Sequence, residues 1–235
     1  LIEILYTYVL GAPRSLDFAA RFVATFHEFP PESDHRLIVV CNGGVPDLET
    51  AAVFAGIKAH FFPRKNDEGR DLSGYQDAAR GPAKDATAVL CLGESNYFHR
   101  AGWLRRLAET WDKLGPGFYG PFSSNSVRSH LNTTAFMCGP ERLRAYPQIT
   151  SHPERYEAEH GKTGMWRRAR AMGLPVRLVT WSGEWRPEEW RTPENILWNG
   201  DQTNCLMWCN HADRYFEAAP DTRWQWERAT NQPFK

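Results

Sequence analysis

Ala86-Thr87-Ala88-Val89-Leu90-Cys91-Leu92, followed at once by Gly93-Glu94-Ser95-Asn96, is the stretch on which the fold turns. An unbroken apolar run of this length, closed by Gly and polar residues, predicts a strand buried on both faces. A strand is buried in that way only where helices cover both sides of its sheet. Working outward toward the N-terminus, the pattern repeats. Leu37 to Cys41 is a second unbroken run, Ile4 to Leu10 is rich in Ile, Tyr and Val, and Ala59 to Phe62 reads as a further strand. Helical stretches lie between them. Ser15 is placed to cap a helix with Asp17 in its first turn. Leu16, Ala20, Val23 and Phe26 recur at helical spacing, and Pro30-Pro31 stops the run. Asp47 to Ala55 and Asp71 to Ala79 read as two more helices. This alternation predicts an α/β fold with a Rossmann-type, mostly parallel sheet and helices on both faces.

Beyond Asn96 the pattern changes. Trp103 to Trp111 reads as a helix. Gly115 to Ser129 is rich in Gly, Pro and Ser and reads as a long loop, a feature that in compact folds usually carries function or motion. His130 to Cys138 is a strand candidate. Met165, Trp166, Ala169 and Met172 mark a helix closed by Gly173, and Val176 to Trp181 is a further strand. Seven of the ten Trp residues lie between Trp181 and Trp226. Core packing accounts for most of them, and Trp181 and Trp185 are the pair placed to face a ligand. No repeat or linker interrupts the chain. Residues 1–235 read as one domain, with a nucleotide-binding half over 1–95 and an irregular acceptor half over 96–235.

The 235 residues are 42% apolar and 24% charged, ordinary values that exclude a fibre or a disordered tail. A chain this long buries about 70% of its unfolded surface and needs no disulfide or metal to fold. Its 28 basic and 28 acidic residues cancel, which argues against a nucleic-acid partner on bulk electrostatics. No run approaches the roughly 18 apolar residues of a membrane span. No basic-then-apolar leader is present at the N-terminus. The chain starts at Leu1, which we read as the trimming of at least an initiator Met. Five scattered cysteines (Cys41, Cys91, Cys138, Cys205 and Cys209) fit reduced thiols and a cytoplasmic location.

Two motifs are set aside. Gly115 to Gly120 matches G-x-G-x-x-G, but it follows a helix and contains Pro, so it does not read as a dinucleotide loop. Cys205, Cys209 and His211 lack the fourth ligand of a zinc site and read as buried thiols.

Three polar clusters carry more. Asn66-Asp67-Glu68-Gly69-Arg70-Asp71-Leu72-Ser73-Gly74-Tyr75 follows the third strand. Ligands of parallel sheets bind beyond the C-terminal ends of the strands. There Arg70 can pair with a phosphate and Asp71 can accept from a ribose or base. A solvated turn with a helix cap at Asp71 is the other reading. At the end of the fourth strand, Glu94 can hold a divalent cation or a sugar hydroxyl. The plain alternative is Ser95 as cap of the Trp103 helix. The third cluster comprises Glu157-Ala158-Glu159-His160, Gly200-Asp201-Gln202 and His211-Ala212-Asp213. Glu159 reads as lying just before the Met165 helix, where the dipole favours an ionised carboxylate and suits either a base or a cap.

From Ile4 to about Tyr215 the order of these motifs resembles the GT-A class of nucleotide-sugar glycosyltransferases. The Asn66–Tyr75 segment is similar to the nucleotide-contacting Asn-x-Gly-x-Asp-x-x-x-Tyr run of rhamnan-synthesis-like members. His130 to Phe136, with a short helix from Pro140, looks like the acceptor-side strand of the class. Glu159-His160, then a helix, then Gly173-Leu174-Pro175-Val176, resembles the Glu-Asp motif, helix and strand of inverting family-two enzymes. Asp201-Gln202 resembles the Asp-Gln element of some retaining members. Where the class carries a D-x-D metal motif this chain reads Gly93-Glu94-Ser95, which is a departure.

The resemblance implies transfer of a sugar from a nucleotide diphosphate donor to an acceptor hydroxyl, of a cell-surface glycan or glycoconjugate. It implies Glu159 as base, with Asp201 second. It implies Asn66, Arg70, Asp71, Tyr75, Glu94, Ser95 and Gln202 on the donor, and a divalent cation (Mn²⁺ or Mg²⁺) on Glu94, His211 and Asp213. A nucleotidyltransferase is the weaker reading, because Gly11-Ala12-Pro13-Arg14-Ser15 is too short and too poor in Gly for its loop. A non-catalytic sugar- or nucleotide-binding module is the alternative from another class.

Overall fold

The computed structural model describes residues 1–65, 67–126, 128–191 and 197–232. The first half alternates as the sequence predicts: β1 (Ile2–Val9), α1 (Ser15–Glu28), β2 (His35–Asn42), α2 (Leu48–Val53), β3 (Ala59–Arg64), α3 (Arg70–Arg80) and β4 (Ala88–Leu92). The second half holds α4 (Trp103–Leu114), β5 (Phe118–Gly120), β6 (Ser123–Ser124), β7 (His130–Leu131), β8 (Ala135–Cys138), α5 (Pro140–Ala145), α6 (His152–His160), α7 (Met165–Ala171), β9 (Val176–Val179), β10 (Glu184–Trp185), α8 (Asn210–Glu217) and α9 (Pro220–Thr230).

Both halves contribute to one eight-stranded sheet, in the order β10-β9-β5-β8-β4-β1-β2-β3. β3, β2, β1 and β4 pair in parallel, with Leu5 of β1 opposite Ile38 on one side and Cys91 on the other. β8 enters antiparallel between β4 and β5, and β10 is antiparallel at the far edge. Every residue of β4 is buried, because helices cover both faces. One core packs Phe22, Phe98, Trp103 and Leu107 against one face, and the other packs Leu72, Tyr75, Leu143 and Trp166 against the opposite face. Stacking of Phe98 on Trp103, with centroids 3.8 Å apart, anchors the first.

Several local expectations change. Ser15 does not cap α1. Arg14 takes the cap position at φ 71° without a side-chain bond, and the Ser15 hydroxyl donates to Glu94 Oε2 at 2.9 Å. Ser95 does not cap α4, whose cap is Gly102; its hydroxyl donates to Asn210 Oδ1. The single strand expected over His130 to Cys138 is two, because the Asn132 side chain accepts from Thr134 N and turns the chain between β7 and β8. The expected Gly115–Ser129 loop contains the central strand β5 and the short β6. Gly173 closes α7 as read, at φ 76°. Among the described residues, no helix is long and apolar enough to cross a membrane.

Candidate active site

β1 sits between β2 and β4, so the chain leaves the sheet in opposite directions at neighbouring strand ends. Such a switch point leaves a crevice beyond the strand C-termini. Here a cavity of about 380 Å³ opens at that place, and Thr7, Asn42, Asp67, Arg70, Asp71, Gly93, Glu94 and Ser95 come to it from the ends of four strands. Its far wall is Thr134, Arg155, Asn210 and His211, from the second half. A second polar cavity of about 250 Å³ adjoins it, lined by Ser124, His130, Asn132, Glu159, His160 and Trp198 among others. Thr134, Arg155 and His211 line both.

Local chemistry fixes these walls. Gly69 begins α3 at φ 67°, and a Cβ there would meet Ile149 O at 2.3 Å. Glycine at this position lets the Asp67–Asp71 turn lie close against the segment before α6. Gln76 of α3, fully buried, donates to Leu143, Tyr146 and Pro147 carbonyls and accepts from Ile149 N. Asp71 holds α6 directly: Arg155 Nε and Nη2 reach its two oxygens at 2.7 and 3.1 Å. Thr134 is pinned where β4 ends, since its carbonyl accepts from Gly93 N at 2.8 Å and from Asn96 Nδ2 at 2.7 Å.

Glu94 faces the first cavity. Burial pushes its pKa up, opposed by the Ser15 hydroxyl and reinforced by the charges of Asp67 and Asp71. Burial also raises Asp67, against the pull of Arg70 and Arg64. Arg70 lies among these carboxylates at the N-terminus of α3, where the helix dipole and the guanidinium both favour an anion.

Among the described residues, Glu159 is the one carboxylate lining the second cavity, and it is 6% exposed. It was expected near a helix N-terminus but stands in the last turn of α6, where the dipole opposes a negative charge. Burial acts to raise its pKa, yet the net direction is downward, because His130, Arg155, His160 and the Thr133 N–H outweigh it. The Thr133 N–H donates to Oε1 at 3.0 Å.

Other expected site residues lie elsewhere. Tyr75 is fully buried against Phe136, behind the wall of the first cavity and not among its lining residues. Asp201 is exposed, and its Oδ1 closes a turn with the Thr203 N–H and hydroxyl. Gln202 is fully buried; its side chain accepts from Trp198 N and donates to Asn199 O. Asp213 is bonded to Arg21 at 2.8 Å and to the Tyr97 hydroxyl. Trp181 lies under Arg100 and Trp185 donates to Thr180, while Trp198 is the Trp that lines the second cavity. Asn66 lies outside the described residues.

The cation implied at Glu94, His211 and Asp213 does not fit these residues. Asp213 is committed to Arg21 and Tyr97, and among the described residues Glu94 and His211 belong to no convergent group of three His, Cys or carboxylate ligands. Among the described residues, the group that does converge is His130, Glu159 and His160.

Sequence reasoning missed Arg155, His130, Thr134 and Asn210. His130 and Thr134 are visible there only as part of the His130–Phe136 acceptor-side stretch, and Arg155 only as the residue four before Glu159 on α6.

A mostly parallel α/β sheet with a polar crevice at its switch point is a frame for binding nucleotides and their derivatives. No protein-family model matches the chain, and no curated protein does. Among solved structures, it is similar to the galactosyltransferase LgtC in complex with donor and acceptor sugar analogs. The identity is 13% and the TM-score 0.48, over 71% of each chain. S. aureus TarS 1-349 aligns at 11% identity and a TM-score of 0.48, over 66% of this chain and 52% of that one. The same TarS fragment in complex with UDP gives 11% and 0.45.

Proposed function

We propose that this protein is a glycosyltransferase that moves a sugar from a nucleoside diphosphate donor to an acceptor hydroxyl. One observation carries the reading: the switch-point crevice continues into a second polar cavity that holds a buried, ionised carboxylate, Glu159. The donor lies in the first cavity. Asp67 and Asp71 accept from ribose or base hydroxyls and amides, and Arg70 with the α3 N-terminus faces the diphosphate. The acceptor enters the second cavity, where Trp198 offers an aromatic face and Glu159 takes the proton of the attacking hydroxyl. Negative charge grows on the departing diphosphate, and Arg70 and Arg155 supply the compensating charge from the chain itself. The two halves, 1–95 and 96–235, act as one unit in this reading, since neither lines the crevice alone. Five buried thiols support a cytoplasmic setting, and a cell-surface glycan or glycoconjugate is the acceptor we favour.

A thermal-shift panel of UDP, GDP, CDP and dTDP sugars tests the donor site. A donor at 100 times its dissociation constant raises stability by about 2.7 kcal/mol. One nucleotide class should give the shift, and Glu159→Gln should keep it while losing about 10²- to 10⁴-fold in turnover. Donor binding without turnover in the parent protein would favour the binding-module reading. No shift with any donor would overturn the transferase reading and leave a sugar-binding module, which a glycan screen then tests.

A further inference from the structure

His130 stands in β7, and Glu159 and His160 end α6. His130 Nδ1 lies 2.7 Å from Arg128 O. A carbonyl only accepts, so Nδ1 carries a proton, and in the neutral form of the ring the Nε2 lone pair faces Glu159. The gap to Glu159 Oε1 is 4.0 Å, too long for a hydrogen bond. His160 Nε2 is 3.6 Å from Glu159 Oε2, also too long, and its Nδ1 is buried with no hydrogen-bond partner among the described residues. Three Lewis-basic groups thus surround one small space with no bond joining them, and their ligand atoms all lie within 4.8 Å of one another. Ligands on a tetrahedral ion with bonds of 2.0–2.1 Å stand about 3.3 Å apart, so closing even the widest separation asks each side chain to move by less than ~1 Å.

Surrounding groups agree with this. The Thr133 N–H holds Glu159 Oε1 in place, as outer partners of metal carboxylates do. The Arg128 carbonyl does the same for His130. Arg155, 3.5 Å from Glu159 Oε2, has its charge forked onto Asp71, while Arg128 and Arg167 act on the two imidazoles from the side of β7 and α7. The fourth side of the cluster opens on the second cavity.

We propose that His130, Glu159 and His160 form a binding site for one divalent transition-metal ion of the Zn²⁺ class, with an open position facing the acceptor-side cavity. Two imidazoles and one carboxylate select such ions over Mg²⁺ and Ca²⁺, which prefer all-oxygen shells. The site lies on the acceptor side, away from the strand ends that hold the donor. On the proposed function, the ion and the acceptor proton compete for the same carboxylate, so loading with Zn²⁺ inhibits transfer. This consequence rests on that function; the binding does not.

Co²⁺ titration of the metal-stripped full chain, read by visible d–d absorption and by thermal shift, tests the site. The expected result is one Co²⁺ per chain, displaced by Zn²⁺ and not by Mg²⁺, with binding at least tenfold weaker in H160Q and in E159Q. H160Q is the primary variant, since His160 is the more exposed of the two imidazoles. Circular dichroism confirms that each variant folds. No Co²⁺ spectrum and no shift at millimolar metal would overturn the proposal. Stoichiometric binding unchanged in both variants would overturn it too, by placing the ion elsewhere. Binding by the parent with no donor recognised by the panel above would leave the metal site standing and remove the transferase reading.

Discussion

At Glu94 a carboxylate is held where its charge is unwelcome. Burial and the nearby Asp67 and Asp71 raise its pKa, while Ser15 supplies one compensating hydrogen bond. A raised pKa means that the folded chain binds the proton more tightly than the unfolded one. The stabilising contribution is therefore present below the unfolded value and is lost as pH rises through the folded value. Glu94→Gln, neutral throughout, should raise Tm at pH 7. Its advantage should shrink toward zero near pH 4. Differential scanning calorimetry at both pH values checks this, and a variant melting at or below the parent at pH 7 would sink the argument. Proteins commonly keep such destabilising groups where a ligand needs them, so the same variant should lose donor affinity.

At the scale of elements, α3 is the part that brings the two cavities together. Its first turn faces the crevice, Asp71 grips α6, and Gln76 fastens the segment between α5 and α6. Gln76→Leu keeps the volume but orphans the Ile149 N–H and up to three carbonyls. Each unsatisfied buried group costs about 1–3 kcal/mol, so Tm should fall by at least about 5 °C. A chemical melt that leaves the midpoint unchanged would show that water replaces the amide.

The elements differ in how plainly the sequence announces them. β1, β2 and β4 are legible because long apolar runs have no other home; Glu94 and Ser95 are legible because they follow β4, and Arg70 and Asp71 because a polar run after β3 opens α3. β5 is not, being three residues that follow Gly117 and end in Gly120, and that gain strand geometry only from β8 and β9. α6 is not, since His152–His160 is mostly polar and carries two buried residues, Ala158 and Glu159. Arg155 and His130 acquire their roles from partners far along the chain, which no local pattern records.

At the scale of the whole molecule, β8 determines the shape. By running antiparallel beside β4, it continues the first half's sheet into the second half and sets Thr134 at the junction of the cavities. The sheet then ends in two different ways. β10 is two residues long, and its Glu184 is bonded to Arg106 and Lys113. β3 is six residues and carries Pro63 opposite Cys41, with Lys58 and Lys65 on either side. A proline has no N–H to offer an incoming strand, and flanking lysines repel one another's copies. Pro63→Val should leave the monomer folded yet scatter more light than the parent on prolonged warming below its Tm. Equal scattering would show that the edge is guarded by other means. A sheet this wide, finished at one margin by brevity and at the other by an imino acid, keeps its growth inside a single chain, so crowding at high concentration gives it no template to extend into a filament.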